Sequence, residues 1–293
     1  RLFSLTKRSV PMKIQSLKDK PLALTNEGPL ALFFVGVGSA FTKRQYQTNL
    51  LILKGRDHLL VDCGTKCPQA LSGLNINPTD IRNLLITHSH ADHIGGLEEL
   101  ALMGRYVTKK KPTMVINETY QHILWDMSLR GGCGYNEEEA GVLLSFTDFF
   151  DVIRPHWLPD FPRETFNAQV GTINIKTMRT KHIPDSSNDW ESSFWSCGVM
   201  IDDRILFTSD TKFDAELVNY YNDTFKLEFI FHDCQFFTGG VHAGIDELNT
   251  FSPAVKEKMY LCHYGDNWEQ NESKVRDYGF AGLAKQHCYY IFD

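Results

Sequence analysis

A short segment in the first third of the chain carries four side chains of the kinds that commonly bind metal ions. The sequence HSHADH occupies positions 88–93, directly after the apolar segment 84–87 and just before Gly95-Gly96. Imidazole nitrogens and carboxylate oxygens are ligands that zinc, manganese and iron accept, and a loop at a strand end can direct alternate residues toward two neighbouring ions. The alternative is a polar loop that happens to be rich in histidine. The position between a strand and a helix favours a metal site, with the ligand-type residues His88, His90, Asp92 and His93.

The second half of the chain supplies isolated ligand-type residues, each of which follows a predicted strand. They are His182, Asp210 and His263. A lone histidine is more often a packed or surface residue than a ligand, but the three together, in this order, complete what two ions require. We predict two divalent transition-metal ions, zinc first and manganese as the alternative. The expected ligands are His88, His90 and His182 for the first ion, Asp92, His93 and His263 for the second, and Asp210 as a bridge.

This ligand set predicts hydrolase chemistry. Two ions about 4 Å apart would hold a hydroxide near neutral pH, because metal binding lowers the pKa of bound water, and would stabilise charge on the group attacked. Asp92 could also orient that hydroxide. The alkoxide that leaves a phosphodiester needs a proton, and His242 in Gly239-Gly240-Val241-His242 is the candidate acid. The alternative for His242 is a surface histidine on a glycine loop.

A further histidine, His232, stands beside Asp233 on an apolar predicted strand. We predict that His232 orients a metal ligand rather than binding metal itself.

The elements that would position these residues follow the same order in both halves, strands first and helices after them. The first half predicts strands at 32–37, 49–53, 58–62 and 84–87, and helices at 69–74 and around 97–101. The second half predicts strands at 172–178, 227–232 and 259–263, and a hairpin at 197–208 that turns at Asp202-Asp203. The fold class is therefore α/β, with two sheets packed face to face and helices outside.

The chain length is compatible with one domain over residues 1–293. Residues 104–162 differ in composition: they carry helix candidates at 120–129, a glycine-rich run at 131–134 and an aromatic run at 146–150. We predict that they form an elaboration that caps the site or contributes to a dimer contact.

Composition narrows the classes of partner and location. The formal net charge of −6 argues against a long nucleic acid as partner, because such proteins usually carry a basic stripe. Seven cysteines without a regular framework favour a reducing compartment. The apolar runs are too short to cross a membrane and no signal-peptide pattern opens the chain, so we expect a cytoplasmic protein.

Residues 88–93, followed in order by His182, Asp210 and His263, resemble the metallo-β-lactamase superfamily over nearly the whole chain. Residues 36–40 and Asp62-Cys63-Gly64 resemble its ribonuclease Z branch. Within that branch the chain is similar to the anti-Pycsar phosphodiesterases, which hydrolyse cyclic nucleotides. The segments that carry this similarity are 38–42, 47–49, 95–98, 128–132, 240–243, 247–248, 258–260 and 263–264.

The resemblance implies an αββα sandwich, two zinc or other transition-metal ions, a homodimer, and His242 as the proton donor. One departure excludes redox chemistry, because oxygen-reducing di-iron members carry a glutamate where this chain has His90. The long glycine- and proline-rich arm of ribonuclease Z enzymes that process transfer RNA is not apparent in the sequence.

These observations predict a metal-dependent phosphodiesterase that hydrolyses 3′,5′-cyclic nucleotides, cyclic CMP and UMP among them, to nucleoside monophosphates. The alternatives are a ribonuclease Z-type RNA endonuclease and a lactonase or thioesterase. A non-catalytic nucleotide-binding protein is disfavoured, because no ligand is missing. Several aromatic residues could stack a base, although most are expected in the core: Phe41, Tyr46, Trp125, Phe149 and Tyr264.

Overall fold

The computed structural model describes residues 12–18 and 20–293. The leading segment before Met12, to which the sequence assigns no function, lies outside the described residues. Within the described part, the strands form two eight-stranded sheets and one two-stranded ribbon.

The strands, in chain order, are β1 (Lys13–Ser16), β2 (Leu30–Gly36), β3 (Asn49–Lys54), β4 (Asp57–Val61), β5 (Asn83–Leu85), β6 (Thr113–Val115), β7 (Glu138–Glu139), β8 (Val142–Leu143), β9 (Asp151–Ile153), β10 (His156–Trp157), β11 (Thr165–Val170), β12 (Ile173–Arg179), β13 (Cys197–Ile201), β14 (Ile205–Phe207), β15 (Phe229–Asp233), β16 (Met259–Cys262), β17 (Gly282–Leu283) and β18 (Cys288–Phe292).

The α-helices are α1 (Cys67–Gly73), α2 (Ala91–Ile94), α3 (Leu97–Leu102), α4 (Glu118–Leu124), α5 (Arg130–Cys133), α6 (Phe146–Phe149), α7 (Ala215–Phe225), α8 (Ile245–Leu248), α9 (Pro253–Lys256) and α10 (Trp268–Asp277). A 3-10 turn spans Pro78–Asp80, and π-helical segments extend α3 over Met103–Thr108 and α4 over Trp125–Leu129. Among the described residues, none of the helices combines the length and the apolar character needed to cross a membrane.

Both sheets are mixed. The first has the order β1-β18-β2-β3-β4-β5-β6-β9, antiparallel as far as β4 and parallel from β4 onward. The second has the order β10-β11-β12-β13-β14-β15-β16-β17, antiparallel as far as β14 and parallel beyond it. Each sheet therefore has a parallel half whose strand ends can collect loops at one edge.

The sequence of β2 explains how the layers pack. Leu32 and Phe34 lie in the core between the two sheets, whereas Phe33 and Val35 lie in the core between the first sheet and its helices. Successive side chains of a strand point to opposite faces, so a continuous apolar run is buried on both sides. The first sheet is thus an inner layer of the molecule.

The second sheet is covered on its outer face in the same way. Met200 of β13 and Leu206 of β14 pack with Leu217 of α7 in a third apolar core. The layers are helices, sheet, sheet and helices, which confirms the predicted arrangement of two sheets with helices outside.

The predicted strand at 84–87 ends earlier than expected, at Leu85. The reason lies at Thr87, whose N–H donates to Asp62 Oδ1 at 2.8 Å and whose carbonyl accepts from the Cys197 N–H at 3.0 Å. These bonds take Thr87 out of the ladder of its own sheet and toward the second sheet.

The segment 104–162 contributes β6 and β9 to the first sheet and β10 to the second. Helices α4, α5 and α6 and the ribbon of β7 and β8 lie between β6 and β9 in the chain. Tyr120 of α4 reaches the candidate metal loop, because its hydroxyl lies 3.1 Å from Ser89 Oγ. The role of the segment as a cap or dimer contact stays a prediction.

His58 of β4 is a buried histidine that acts as a hydrogen-bond acceptor. Its Nε2 accepts from the Arg82 N–H at 3.0 Å, and its residue is 1% exposed. Burial, helped by the nearby charge of Arg82, lowers the pKa of His58 to about 4. Protonation of Nε2 would also remove this buried acceptor.

We expect His58 to make the unfolding free energy depend on pH. Because the folded pKa is about 4 and the ordinary value is 6.5, the unfolded state binds more protons in that window. The stability that His58 contributes is therefore present above pH 6.5 and is lost as pH falls toward 4. A His58→Gln variant, whose amide oxygen can accept from Arg82, should gain up to about 2 kcal/mol relative to wild type between roughly pH 7.5 and 5.

Urea unfolding of both proteins at the two pH values measures this difference. Equal pH dependence of the two proteins would contradict the expectation.

Candidate metal centre

All of the predicted metal ligands lie in segments that follow the carboxyl end of a strand, with Asp92 and His93 in the short helix α2 and the others in loops. The segment 88–93 follows β5, His182 follows β12, Asp210 follows β14 and His263 follows β16. The two sheets thus contribute loops to one shared site.

The first group of candidate ligand atoms consists of His88 Nε2, His90 Nδ1, His182 Nε2 and Asp210 Oδ2. Each of these four residues has one ligand atom within 4.8 Å of the ligand atoms of the other three. His90 Nδ1 is 3.0 Å from His88 Nε2 and 3.3 Å from His182 Nε2. Asp210 Oδ2 is 3.8 Å from both of the other imidazole nitrogens.

The second group consists of Asp92 Oδ2, His93 Nε2, His263 Nε2 and the same Asp210 Oδ2. Asp92 Oδ2 is 3.2 Å from His93 Nε2 and 3.3 Å from His263 Nε2. Asp210 Oδ2 is 3.3 Å from each of these two nitrogens. The structure therefore brings all seven predicted residues together in the predicted grouping; whether they ligate metal stays a prediction.

The donor set fits metal cations. His93 Nε2 and Asp210 Oδ1 are buried and have no hydrogen-bond partner within residues 12–18 and 20–293, and buried polar atoms are normally paired. Burial lowers the pKa of His88 well below its ordinary value and that of His182 to about 4, which favours the neutral imidazole that binds metal. A cation inside the second group would give His93 Nε2 the partner that it otherwise lacks among the described residues.

His93 and His263 have the opposite electrostatic environment. Burial lowers the pKa of each, but the Asp210 carboxylate and further carboxylates outweigh burial, so both values are raised well above the ordinary range. Negative charge that favours a proton on an imidazole also favours a metal ion beside it.

Asp62 orients one of these imidazoles. Its Oδ2 accepts from His93 Nδ1 at 2.7 Å, which leaves Nε2 to face the centre. The Thr87 hydroxyl donates to both Asp62 oxygens, at 3.0 and 2.9 Å, and lies 3.1 Å from His88 Nδ1. One buried carboxylate and one hydroxyl thus support two neighbouring candidate ligands.

The other two strand-end histidines are held in the same way. His182 Nδ1 donates to the carbonyl oxygen of Val241 at 2.8 Å, and His263 Nδ1 lies 3.4 Å from Asp233 Oδ1. Such partners fix ring orientation and raise the basicity of the nitrogen that faces a metal.

Backbone strain is concentrated at the strand ends of this site. Asp62, Ser209 and His263 have φ values of 68°, 51° and 59°, in the left-handed region that residues other than glycine rarely occupy. Each follows a strand within two residues, where the left-handed turn redirects the chain. Positions of this kind persist only where the surrounding structure holds them.

Gly64 allows the loop after β4 to lie directly on α2. A Cβ at Gly64 would stand 1.9 Å from the Asp92 carbonyl oxygen. Beside it, the Cys63 N–H donates to the His93 carbonyl at 2.8 Å. A larger residue at Gly64 would displace the helix that carries two candidate ligands.

His242 lies at the edge of the same cluster. Its Nδ1 donates to Asp233 Oδ2 at 2.7 Å and is 3.9 Å from Asp210 Oδ2. Its ring centroid is 5.0 Å from that of His182 and 4.8 Å from that of His263. Burial lowers the pKa of His242, but Asp233 outweighs it and the pKa is raised. The alternative of a histidine on a free surface loop does not fit these contacts.

The prediction for His232 is wrong, and the orienting residue is its neighbour Asp233. His232 Nδ1 lies 2.7 Å from the Asp233 carbonyl oxygen, and its Nε2 has no partner among the described residues. Asp62 is noted in the sequence only as part of a family motif, and its orienting role is not predicted. A carboxylate at or just after a strand end is the feature that could have identified Asp62 and Asp233, as it identified Asp210.

An open cavity of about 380 Å³ gives access to the cluster. Its lining combines polar and apolar residues: Ala40, Phe41, Gln47, His90, Ala91, Asp92, Ile183, Asp210, Val241 and His242.

Comparison with known proteins places the chain among curated relatives. A family model described as "Anti-Pycsar protein Apyc1" matches residues 30–290. The anti-Pycsar protein of Bacillus phage BSP38 is 38% identical over 255 residues, which cover 84% of this chain and 93% of that protein. The anti-Pycsar protein of Paenibacillus harenae is 36% identical over 242 residues, 82% of this chain and 92% of that one.

Solved structures show the same fold at low identity. The metallo-β-lactamase fold protein YhfI from Bacillus subtilis superposes with a TM-score of 0.64 at 16% identity, covering 90% of this chain and all of that one. The short form of human tRNase Z superposes with a TM-score of 0.59 at 15% identity, covering 88% and 98%. The chain therefore has a metallo-β-lactamase fold, which confirms the predicted fold class.

We expect an Asp62→Asn variant to bind zinc about 10- to 100-fold more weakly than wild type, because His93 loses the carboxylate that orients it. Competition with a chromogenic chelator measures the affinity, and circular dichroism verifies folding. The matched control is Asp277→Asn, which removes an exposed carboxylate of α10. Unchanged zinc affinity in a folded Asp62→Asn protein would contradict the assigned role.

Proposed function

The chain belongs to the anti-Pycsar protein Apyc1 family, and we propose that it is a dinuclear metal phosphodiesterase that hydrolyses 3′,5′-cyclic nucleotides to nucleoside monophosphates. The proposal includes zinc or manganese as the ions and His88, His90, Asp92, His93, His182, Asp210 and His263 as their ligands.

The observation that carries the proposal is the position of His242 beside the ligand cluster. His242 and the candidate ligands His90, Asp92 and Asp210 line one cavity. Asp233 accepts from His242 Nδ1, so Nε2 is the nitrogen that can face a substrate. A proton donor beside a metal centre suits a reaction whose leaving group is a poor one.

The alkoxide released when a cyclic phosphodiester opens is such a leaving group. In the proposed reaction the oxygen of a water molecule forms a new bond to phosphorus, one P–O ester bond of the cyclic phosphodiester breaks, and the alkoxide oxygen that leaves takes its proton from His242 Nε2. Asp233 keeps the imidazole ring of His242 oriented and stabilises its protonated form before the proton is transferred. The ions, when bound, supply acidified water and stabilise negative charge on the phosphate.

The cavity also matches the two parts of a nucleotide. The cations that its candidate ligands would hold, together with His242, would attract a phosphate, whereas Ala40, Phe41, Ile183 and Val241 offer apolar contacts. A volume of about 380 Å³ is within the usual range for a small-molecule site. This mixture favours a small ligand with one anionic and one aromatic part.

We expect wild-type protein to open cyclic nucleotides in a metal-dependent way and a His242→Asn variant to lose about 10²- to 10⁴-fold in kcat. Asparagine retains an N–H that can donate to Asp233 but cannot deliver a proton. A phosphodiester with a p-nitrophenolate leaving group needs no proton, so the variant should lose much less activity on it.

Initial rates with zinc, with manganese and with a chelator measure these effects. His122→Asn, at an exposed histidine of α4, is the matched control. Equal losses on both substrates would contradict the acid role of His242. Faster cleavage of a precursor transfer RNA or of a lactone than of any cyclic nucleotide would overturn the proposed substrate.

A further inference from the structure

One aromatic side chain at the cavity is exposed to solvent. Phe41 is 87% exposed and lines the cavity that His90, Asp92 and His242 also line. Single exposed apolar side chains are common on protein surfaces, but Phe41 also lines a cavity, where its exposed ring is available to a ligand.

The other aromatic residues that sequence analysis offered as base-stacking candidates are placed differently. Trp125, Phe149 and Tyr264 are buried, and the Tyr264 hydroxyl donates to the Ala284 carbonyl oxygen at 2.7 Å. Tyr46 is half-buried, with its ring 6.1 Å from that of His287. Of these five candidates, Phe41 is the one that reaches the cavity.

The turn that carries Phe41 is anchored on its far side by Asp266. This carboxylate accepts from the Thr42 hydroxyl at 2.5 Å and from the N–H groups of Lys43 and Arg44 at 2.8 and 3.1 Å. The Arg44 guanidinium donates to both oxygens of Glu269, at 3.0 and 2.8 Å. The residues after Phe41 are thereby fixed to the start of α10.

The near side of the turn is held as firmly. The Ser39 N–H donates to the Tyr264 carbonyl oxygen at 3.0 Å, next to the candidate ligand His263. Gln47 Nε2 donates to the Ala40 carbonyl oxygen at 3.2 Å, and Lys66 Nζ donates to the Thr42 carbonyl oxygen at 2.6 Å. Phe41 is therefore an exposed ring on a turn whose backbone is tied to the metal centre.

We propose that Phe41 is the platform on which the base of the substrate stacks, while the phosphate lies at the metal centre. This assignment rests on the proposed cyclic-nucleotide activity. An anchored turn loses little conformational freedom when a ligand binds, so the stacking contact contributes to affinity. Because every base has an aromatic face, a stacking platform tolerates different bases.

The test compares wild type with Phe41→Ala, Phe41→Leu and Phe41→Trp on cyclic CMP, UMP, AMP and GMP. Phe41→Ala should raise KM about 5- to 100-fold on every base with little change in kcat. Phe41→Trp should retain a KM near that of wild type, and Phe41→Leu should lie between the two. On cyclic ribose 3′,5′-phosphate, which has no base, wild type and Phe41→Ala should have similar KM values.

Trp157→Ala is the control for loss of an exposed aromatic ring, because Trp157 lies on β10 and does not line this cavity. An unchanged KM in Phe41→Ala, with wild type active on cyclic nucleotides, would overturn the platform. An equal loss on the baseless substrate would also overturn it and indicate a structural role. No turnover of any cyclic nucleotide by wild type would instead overturn the proposed function.

Discussion

The buried carboxylate of Asp210 is the constraint on which the site depends. Its Oδ2 lies 3.3 Å from His93 Nε2 and His263 Nε2 and 3.8 Å from His88 Nε2 and His182 Nε2. Four imidazoles around one carboxylate oxygen are costly to bury, because none of the facing nitrogens can pair with all its neighbours. Cations on either side of Asp210 would offset this cost, because the carboxylate and the imidazoles would coordinate them. The loops, the orienting carboxylates and the two sheets all serve to hold that geometry.

The fold provides the rigidity that this geometry requires. The candidate ligands come from both sheets, so their relative positions depend on the core between the sheets, in which Phe34, Phe207 and Phe231 pack together. Closely packed protein interiors resist displacement of their elements. They can therefore hold Asp62 and His263 in left-handed backbone conformations at strand ends. The precise positions of the candidate ligands thus depend on core packing far from the metal centre.

The sequence predicts much of the fold and the candidate ligands because both leave local patterns. The run at 88–93 is dense enough to identify by itself, and each predicted strand lies within about two residues of its observed bounds, although strands such as β1, β11 and β18 are not among those predicted. The orienting residues leave weaker patterns, since Asp62 and Asp233 are common residue types whose partners are distant in the chain. The error at His232 has a simple cause. Successive strand residues face opposite sides, so His232 lies toward the outer core near Phe251 while Asp233 faces the site.

The most direct test of the account is anomalous diffraction at the zinc absorption edge from crystals grown with zinc. We expect a pair of peaks on opposite sides of the Asp210 carboxylate, one against the imidazoles of His88, His90 and His182 and the other against Asp92, His93 and His263. A single peak, or a peak coordinated by Asp233 and His242 in place of these residues, would contradict it.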